Sequence, residues 1–497
     1  MGLALLIVYG VFLLFIFAYS LVQLSLTFHY LKAKRREKAV PGSPEKLLPP
    51  EENLPLVCIQ LPVYNERYVV ERLIDAVAAI EYPKDKLEIQ LLDDSTDDSV
   101  ELAAARVAHF RNNGYRIKHI RRPVRKGFKA GALAYGLEQT TAEFIAIFDA
   151  DFIPDPGFLR STLPFLLNEP ETGMVQTRWK HLNEEYSLLT KLQAFGLDAH
   201  FVVEQCGRSM GGHFINFNGT AGIWRKQCII DSGGWSSDTL TEDLDLSYRA
   251  QLKGWKFRYL PGVGSPSELP SEMNSLKSQQ YRWTKGAAEC AVKNLPKVFS
   301  ARNIGFGTKV HALFHLLNSF IFVCILSTSL LSVPLLQLKP ELDNYETLFR
   351  LASVFLLSFL VLGVFYWISR PECEHRGFMA LPGFIGSFLL FLSVSMGLSL
   401  HNAIAVLEGY FGRKTSFVRT PKFGIAKKGD SWADKQYRSL RMNPLTFGEL
   451  LLAGYFAYGI YLAFRMEDYG MLLFHGMLGF GFFYVAFQSI FQLRGAN

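Results

Sequence analysis

Residues 144–151 read Phe-Ile-Ala-Ile-Phe-Asp-Ala-Asp, five apolar residues followed by two carboxylates spaced by one. A short, continuous apolar run bounded by polar residues has the length and texture of a strand buried on both faces. Acids at its carboxyl end stand where open α/β sheets bind their ligands. The texture repeats upstream. Leu56 to Leu61 is expected as a first strand, Glu66 to Ile80 as a helix with Leu73, Val77 and Ile80 on one face, and Glu88 to Leu92 as a second strand. Ser99 to Phe110 reads as the next helix and Ile117 to Ile120 as a third strand. The first two strands also run into polar clusters, Pro62-Val63-Tyr64-Asn65-Glu66 and Asp93-Asp94-Ser95-Thr96-Asp97-Asp98. The alternation predicts an α/β domain from about Leu54 to Ser300, with ligand chemistry at the strand ends.

The rest of the chain has a different composition. Over 497 residues, 49% are hydrophobic, 14% aromatic and only 20% charged, with a formal net charge of +7. That mixture excludes a disordered chain or a coiled coil, and a charge fraction below the usual ~25% indicates an apolar population averaged with a polar one. Gly2 to Phe28 carries no charge and is long enough to span a bilayer. Lys32, Lys34, Arg35, Arg36 and Lys38 follow it, so the positive-inside rule puts the N-terminus outside and the α/β domain in the cytoplasm. Later apolar runs are Val310 to Leu338, Leu351 to Ser369, Gly377 to Leu407, roughly Leu445 to Phe464 with Glu449 near one end, and Tyr469 to Leu493. Between Arg413 and Arg441 lie Lys or Arg at 413, 414, 419, 422, 427, 428, 435, 438 and 441, which predicts a cytoplasmic segment. Parity then makes one late run non-spanning. Pro382, Gly383, Gly386 and Gly397 mark the third as re-entrant or interfacial, which leaves five spanning helices, with six as the rival count. Much of the +7 therefore marks a membrane face rather than nucleic-acid binding. The six cysteines show no C-x-x-C spacing and are expected as free thiols, and the i,i+4 pair His311 and His315 is expected to pack rather than bind metal.

The α/β domain has no G-x-G-x-x-G or Walker lysine motif, which disfavours a dinucleotide dehydrogenase or a P-loop ATPase. Carboxylates spaced as in Asp149-Ala150-Asp151 suit a hard divalent cation bridging to a diphosphate. Further on, Thr241-Glu242-Asp243 opens an amphipathic helix, Leu244 to Leu252, with Thr241 as its expected cap. Gln279-Gln280-Tyr281-Arg282-Trp283 sits on a stretch leading toward the first late membrane helix.

In this order the clusters resemble the signature D, D-x-D, T-E-D and Q-x-x-R-W of membrane-embedded family 2 glycosyltransferases, here Asp93/Asp94, Asp149-Ala150-Asp151, Thr241-Glu242-Asp243 and Gln279 to Trp283. Phe417-Val418-Arg419-Thr420-Pro421-Lys422 is similar to the F-x-V-T-x-K gating loop of cellulose synthase, with Arg419 in place of its Val. The texture of residues 60–67, 91–99, 126–133 and 399–424 is similar to cellulose synthase-like families A and C, which make mannan or glucomannan and the β-1,4-glucan backbone of xyloglucan. The resemblance runs from about Leu54 to Gly424 and implies a GT-A type nucleotide-sugar-binding domain inserted between transmembrane helices. The implied organisation is a transmembrane helix over 1–31, a basic linker over 32–53, the glycosyltransferase domain over 54–278, an interface region over 279–308, transmembrane and interfacial helices over 309–407, a gating-like loop over 408–444 and two transmembrane helices over 445–497.

Carried over by position, the resemblance implies that Tyr64, Glu66, Asp93 and Asp94 hold the nucleoside while Lys129 and Asp149 approach the diphosphate. Asp149 and Asp151 would bind Mg2+ or Mn2+, and Asp243 would be the catalytic base. Phe217, Gly219, Thr220, Glu242, Gln279, Arg282 and Trp283 would serve the acceptor and the phosphates, and Phe417, Thr420 and Lys422 would close over the donor. The implied activity is an inverting, processive hexosyltransferase that polymerises a β-linked mannan, glucomannan or glucan from GDP-mannose or UDP-glucose and passes it across the membrane. Its partners would be the nucleotide sugar, the growing polysaccharide and the bilayer, with no nucleic acid; the sequence carries no sign of an accessory export partner. The implied location is a bacterial inner membrane or, in a eukaryote, the Golgi. Transfer of one sugar to a lipid is the rival, and a transporter or scaffold is the rival from another class.

Overall fold

A computed structural model describes residues 2–37, 48–339, 357–370, 375–415, 417–438 and 442–494. Lys38, residues 351–356, Cys373 and Arg441, all used in the sequence argument, lie outside the described residues. The centre of the molecule is a seven-stranded sheet in the order β3-β2-β1-β4-β6-β5-β7. The expected strands appear as β1 (Val57–Val63), β2 (Leu87–Asp93), β3 (Arg116–Ile120) and β4 (Phe144–Ile147), parallel to one another. β5 (Thr172–His181), β6 (Gly222–Arg225) and β7 (Lys256–Ser267) extend the sheet, β6 running antiparallel to both β4 and β5.

The pleat of β1 and β4 divides the core. Val57, Ile59, Leu61 and Val63 join Phe144, Ala146 and Phe148 on one face. Cys58, Ile145 and Ile147 join Leu133, Met174 and Trp224 on the other. Each strand is thus apolar on both sides, the condition for a buried parallel sheet. Helix Val70–Ala78 covers the first face with Val70, Leu73, Ile74 and Val77, the i, i+3, i+4, i+7 stripe of an amphipathic helix.

Among the described residues, five helices around this domain are long and apolar enough to cross a membrane: Gly2–Arg35, Phe320–Leu338, Gly377–Gly397, Leu445–Arg465 and Leu472–Gln492. The chain is a multi-span membrane protein by that measure. Gly377–Gly397, expected as re-entrant or interfacial, is one of these five helices, and the described part of the run ending at Ser369 is a shorter apolar helix, Leu357–Ser369. The run from Gly377 to Leu407 does break after Gly397, where Leu398 separates it from a second helix, Ser399–Tyr410, but Pro382, Gly383 and Gly386 do not interrupt it: Leu381–Gly397 is one helix, preceded by one 3-10 turn, with Pro382 accommodated in its first turn. Its glycine serves packing: a Cβ on Gly397 would lie 2.3 Å from the carbonyl oxygen of Gly481, and one on Gly481 would lie 1.9 Å from that of Ser393. Two helix backbones meet there, as small residues allow in membranes. Along its length the same helix rests on the α/β domain, where Phe391 meets Phe195 at 5.1 Å and Val394 and Leu398 cluster with Leu189 and Leu192.

Val310 to Leu338, expected as one helix, is two, Phe306–Leu316 and Phe320–Leu338. The break falls at Asn318-Ser319, residues whose side chains compete with helical hydrogen bonding. His315 Nδ1 lies 2.8 Å from the Tyr248 hydroxyl, and the His311 ring stacks on His213 at 3.8 Å. Both histidines pin this short helix to the domain, and the described cysteines are free and buried. Lys277 Nζ, on helix Met273–Ser300, lies 2.7 Å from Glu449 Oε2 and 2.9 Å from Ser489 Oγ. This buried ion pair ties the domain to the last two helices, and removing either partner would strand a charge at a cost of about 3–5 kcal/mol.

Candidate active site

A cavity of about 200 Å3 opens beyond the carboxyl ends of β1, β2 and β4. The segment from Phe417 to Lys422 covers it, and helix Met273–Ser300 borders it with Gln279, Arg282 and Trp283. Tyr64, Glu66, Asp94, Lys129, Asp149, Asp151, Gly219, Glu242, Asp243 and Thr420 also line it. Elements 350 residues apart in sequence meet here because the sheet aims several strand ends at one point and the long helix carries its cluster to the same place.

Four carboxylates on the wall hold cationic partners. Arg122 grips Asp94 through Nε at 2.7 Å and Nη2 at 2.6 Å, a two-point contact. Lys129 Nζ lies 2.5 Å from Asp149 Oδ1 and donates to the Gly219 carbonyl at 2.8 Å. Lys422 Nζ meets Asp151 Oδ2 at 2.8 Å, and Arg419 Nη1 meets Glu66 Oε2 at 2.8 Å. Burial opposes the charge on Lys129, but Asp149, Glu242 and Asp243 outweigh it and hold its pKa above the usual lysine value. For Glu66 burial wins over Arg419, and the carboxyl is pushed up to about 7.

Asp243 is different. Among the described residues no ion pair reaches it, and its Oδ1 accepts from the Leu244 amide at 2.8 Å. Burial first, and the neighbouring Glu242 second, push its pKa up to about 7, against the pull of Lys129. Its other oxygen faces Gly219, where a Cβ would come within 2.9 Å of Oδ2; the φ of +82° at Gly219 excludes one in any case. A half-buried carboxylate without an ion-pair partner, its pKa pushed up to about 7, can accept a proton from a sugar hydroxyl. Arg282 Nη2 donates to Thr420 Oγ1 at 2.7 Å and lies 4.9 Å from the Phe417 ring, which stacks on Phe128 at 5.3 Å. Trp283 stands 6.4 Å from Trp179, so two flat faces border the acceptor side.

Three expected residues lie behind the wall. Asp93 is buried, with His119 Nε2 at 2.7 Å and the Ser95 amide at 2.8 Å. Phe217 packs edge-on against Trp224 at 5.5 Å, and Thr220 Oγ1 accepts from the Asp149 amide at 2.9 Å. They hold wall residues in place rather than facing the cavity. Thr241 does not cap its helix by its side chain, which instead lies 3.4 Å from Cys290 Sγ. Arg125, Trp179, Asn218 and Glu268 line the cavity without having been foreseen. Arg125 lies flat over the Tyr64 ring at 3.4 Å; the basic run 121–126 before Gly127 was its only sequence signal.

Asp149 and Asp151 are the pair suited to a divalent ion. Among the described residues no three His, Cys, Asp or Glu side chains converge as a metal set, so the remaining ligands would be phosphate oxygens and water, the habit of Mg2+ at substrate phosphates. Two ammonium groups already rest against these carboxylates, which marks the place as one that gathers positive charge.

Residues 55–286 match the pattern described as Glycosyltransferase like family 2. Glucomannan 4-beta-mannosyltransferase 1 of Oryza sativa subsp. japonica is 35% identical over 440 residues, which covers 84% of this chain and 80% of that protein. Glucomannan 4-beta-mannosyltransferase 2 of Arabidopsis thaliana is 35% identical over 418 residues, covering 80% and 74% respectively. Among solved structures, a mannosyltransferase from Pyrobaculum calidifontis in complex with GDP-Man and Mn2+ shares the fold, with a TM-score of 0.53 at 17% identity over 82% of this chain and 100% of that one.

Proposed function

This chain belongs to the family 2 glycosyltransferases, and we propose that it polymerises a β-1,4-linked mannan or glucomannan from a nucleotide sugar, GDP-mannose above all. The observation that carries the reading is one cavity holding a D-x-D pair, a half-buried Asp243 without an ion-pair partner among the described residues, and Arg282 with Trp283 on a helix that leads toward the membrane. Identity to glucomannan 4-beta-mannosyltransferases along most of both chains supports the choice of sugar and linkage.

The mechanism follows from the charges. Tyr64, Glu66 and Asp94 hold the nucleoside, and Lys129 and Arg282 approach the diphosphate. Asp149 and Asp151 would hold Mg2+ or Mn2+, which would supply positive charge to offset the negative charge developing on the leaving diphosphate. Asp243 takes the proton from the acceptor hydroxyl as that oxygen attacks the anomeric carbon. The bond to the diphosphate breaks in the same displacement, which inverts the centre, so an α-linked donor gives a β-linked product. Phe417, Thr420 and Lys422 cover the donor and exclude water that would hydrolyse it. Trp283 and Trp179 offer faces to the acceptor sugar, and product leaves between the membrane helices. The catalytic domain faces the cytoplasm, as the basic segments on its side of the membrane imply.

The test is incubation of the purified full chain with labelled GDP-mannose, UDP-glucose or both, followed by linkage analysis and sizing. A β-1,4 polymer is the expected product. Only a lipid monoglycoside would assign the chain to single-sugar transfer, and absence of nucleoside diphosphate release would discard transfer altogether.

A further inference from the structure

The gating-like segment departs from its resemblance at Arg419, and that residue lines the cavity beside Glu66. Arg419 Nη1 stands 2.8 Å from Glu66 Oε2, while the guanidinium rests over the Tyr437 ring at 4.4 Å. The Tyr437 hydroxyl in turn bonds Asp97, so the strap following the segment braces Arg419 from behind. Glu66 is 8% exposed. The two groups are close enough for an ion pair but poorly aligned for a hydrogen bond, and both Glu66 Oε2 and Arg419 Nη1 are buried without a hydrogen-bond partner. Each such group costs stability until something satisfies it. Their neighbours are committed: Asp94 to Arg122, Asp151 to Lys422, Asp149 to Lys129.

A carboxylate beside a guanidinium complements an edge that sets one acceptor beside adjacent donors. Guanine has such an edge, with O6 next to N1–H and the N2 amine. Uracil sets its single N3–H between two carbonyl oxygens, so the second carboxylate oxygen would face a lone pair. A phosphate would be repelled by Glu66. We propose that Glu66 and Arg419 read the base of the donor and select guanine over uracil, Arg419 donating to O6 and Glu66 accepting from N1–H and N2–H. The inference rests on the reading of this cavity as a nucleotide-sugar site and adds the identity of the base. It also gives the covering segment a part in donor selection, with Tyr437 as the positioning residue.

The test is equilibrium binding of GDP, UDP and IDP to the full chain in nanodiscs with Mn2+ present. IDP lacks only the N2 amine. GDP should bind about tenfold tighter than IDP and tighter still than UDP, the scale of one well-placed two-point base contact. Glu66→Gln should erase the preference for GDP over IDP, and Arg419→Val should erase most of that for GDP over UDP. Arg419→Lys, which keeps the charge and loses the fork, should fall between. Equal affinity for GDP and IDP in the unaltered protein overturns the carboxylate contact without any mutation. Equal loss of GDP and UDP binding in Arg419→Val overturns base reading and leaves Arg419 a closing residue. The activity reading fails separately, if GDP-mannose yields no polymer while GDP still binds with its preference intact.

Discussion

The two ends of the cavity treat carboxylates in opposite ways. On the donor side four wall carboxylates have a cationic partner: Asp94 with Arg122, Asp149 with Lys129, Asp151 with Lys422 and Glu66 with Arg419. On the acceptor side Asp243 has no ion-pair partner among the described residues and lies between Glu242 and the Gly219 loop. Pairing keeps a charge in place and suits groups that must bind a charged ligand on every cycle. Isolation raises the proton affinity of a carboxylate and suits a group that must take up a proton once.

Asp243→Asn breaks the comparison most completely. Turnover should fall about 10²–10⁴-fold, the usual contribution of a positioned base, with donor affinity little changed. Paired rate and nucleotide-binding measurements check it, and surviving turnover would move the base elsewhere. Chelation should next abolish turnover in a way that added Mn2+ or Mg2+ restores. Asp151→Asn should raise the metal concentration needed for half-maximal rate, and an unchanged metal requirement would take Asp151 out of the metal site. Arg282→Lys keeps a charge but loses the planar fork, so kcat/KM should fall about tenfold; no change would mean that Arg282 only braces Thr420. The smallest effect concerns pH. With the Asp243 carboxyl pushed to about 7 in the folded protein, the rate should fall as pH drops through that value, because the base becomes protonated. Glu242 raises that pKa by its charge, so Glu242→Gln should move the acid limb of the kcat profile to lower pH. A limb that moves upward would reverse the assigned coupling. Phe417→Ala, a variant of the covering segment, should raise the ratio of donor hydrolysis to transfer, measured as free mannose against polymer.

Much of the site was legible because its residues follow strand ends. Asp94, Asp149 and Asp151 each sit directly after an apolar run, and Arg282 and Trp283 lie together on one helix. Asp93 misled because the pleat turns adjacent residues to opposite sides: Asp94 faces the cavity while Asp93 faces His119. Phe217 and Thr220 misled because a loop pattern says nothing about which side chains point outward. Arg125 and Trp179 went unseen because no local motif carries them. Gly397 read as a helix break and does end its helix, but the sequence did not show that two backbones touch there.

What the amino-acid sequence determined by itself was local or periodic: the alternation of strand and helix, the long apolar runs, the basic segments beside them, and the order of acidic clusters. Each depends on residues within about a turn or a strand of one another. What only the tertiary structure decided was which charges meet. Arg419 and Glu66 are separated by most of the chain, yet the fold sets them 2.8 Å apart, and Asp243 is left unpaired because the lysine nearest to it is engaged by Asp149. Pairing and burial set proton affinity, and both are properties of three-dimensional neighbours rather than of neighbours in sequence.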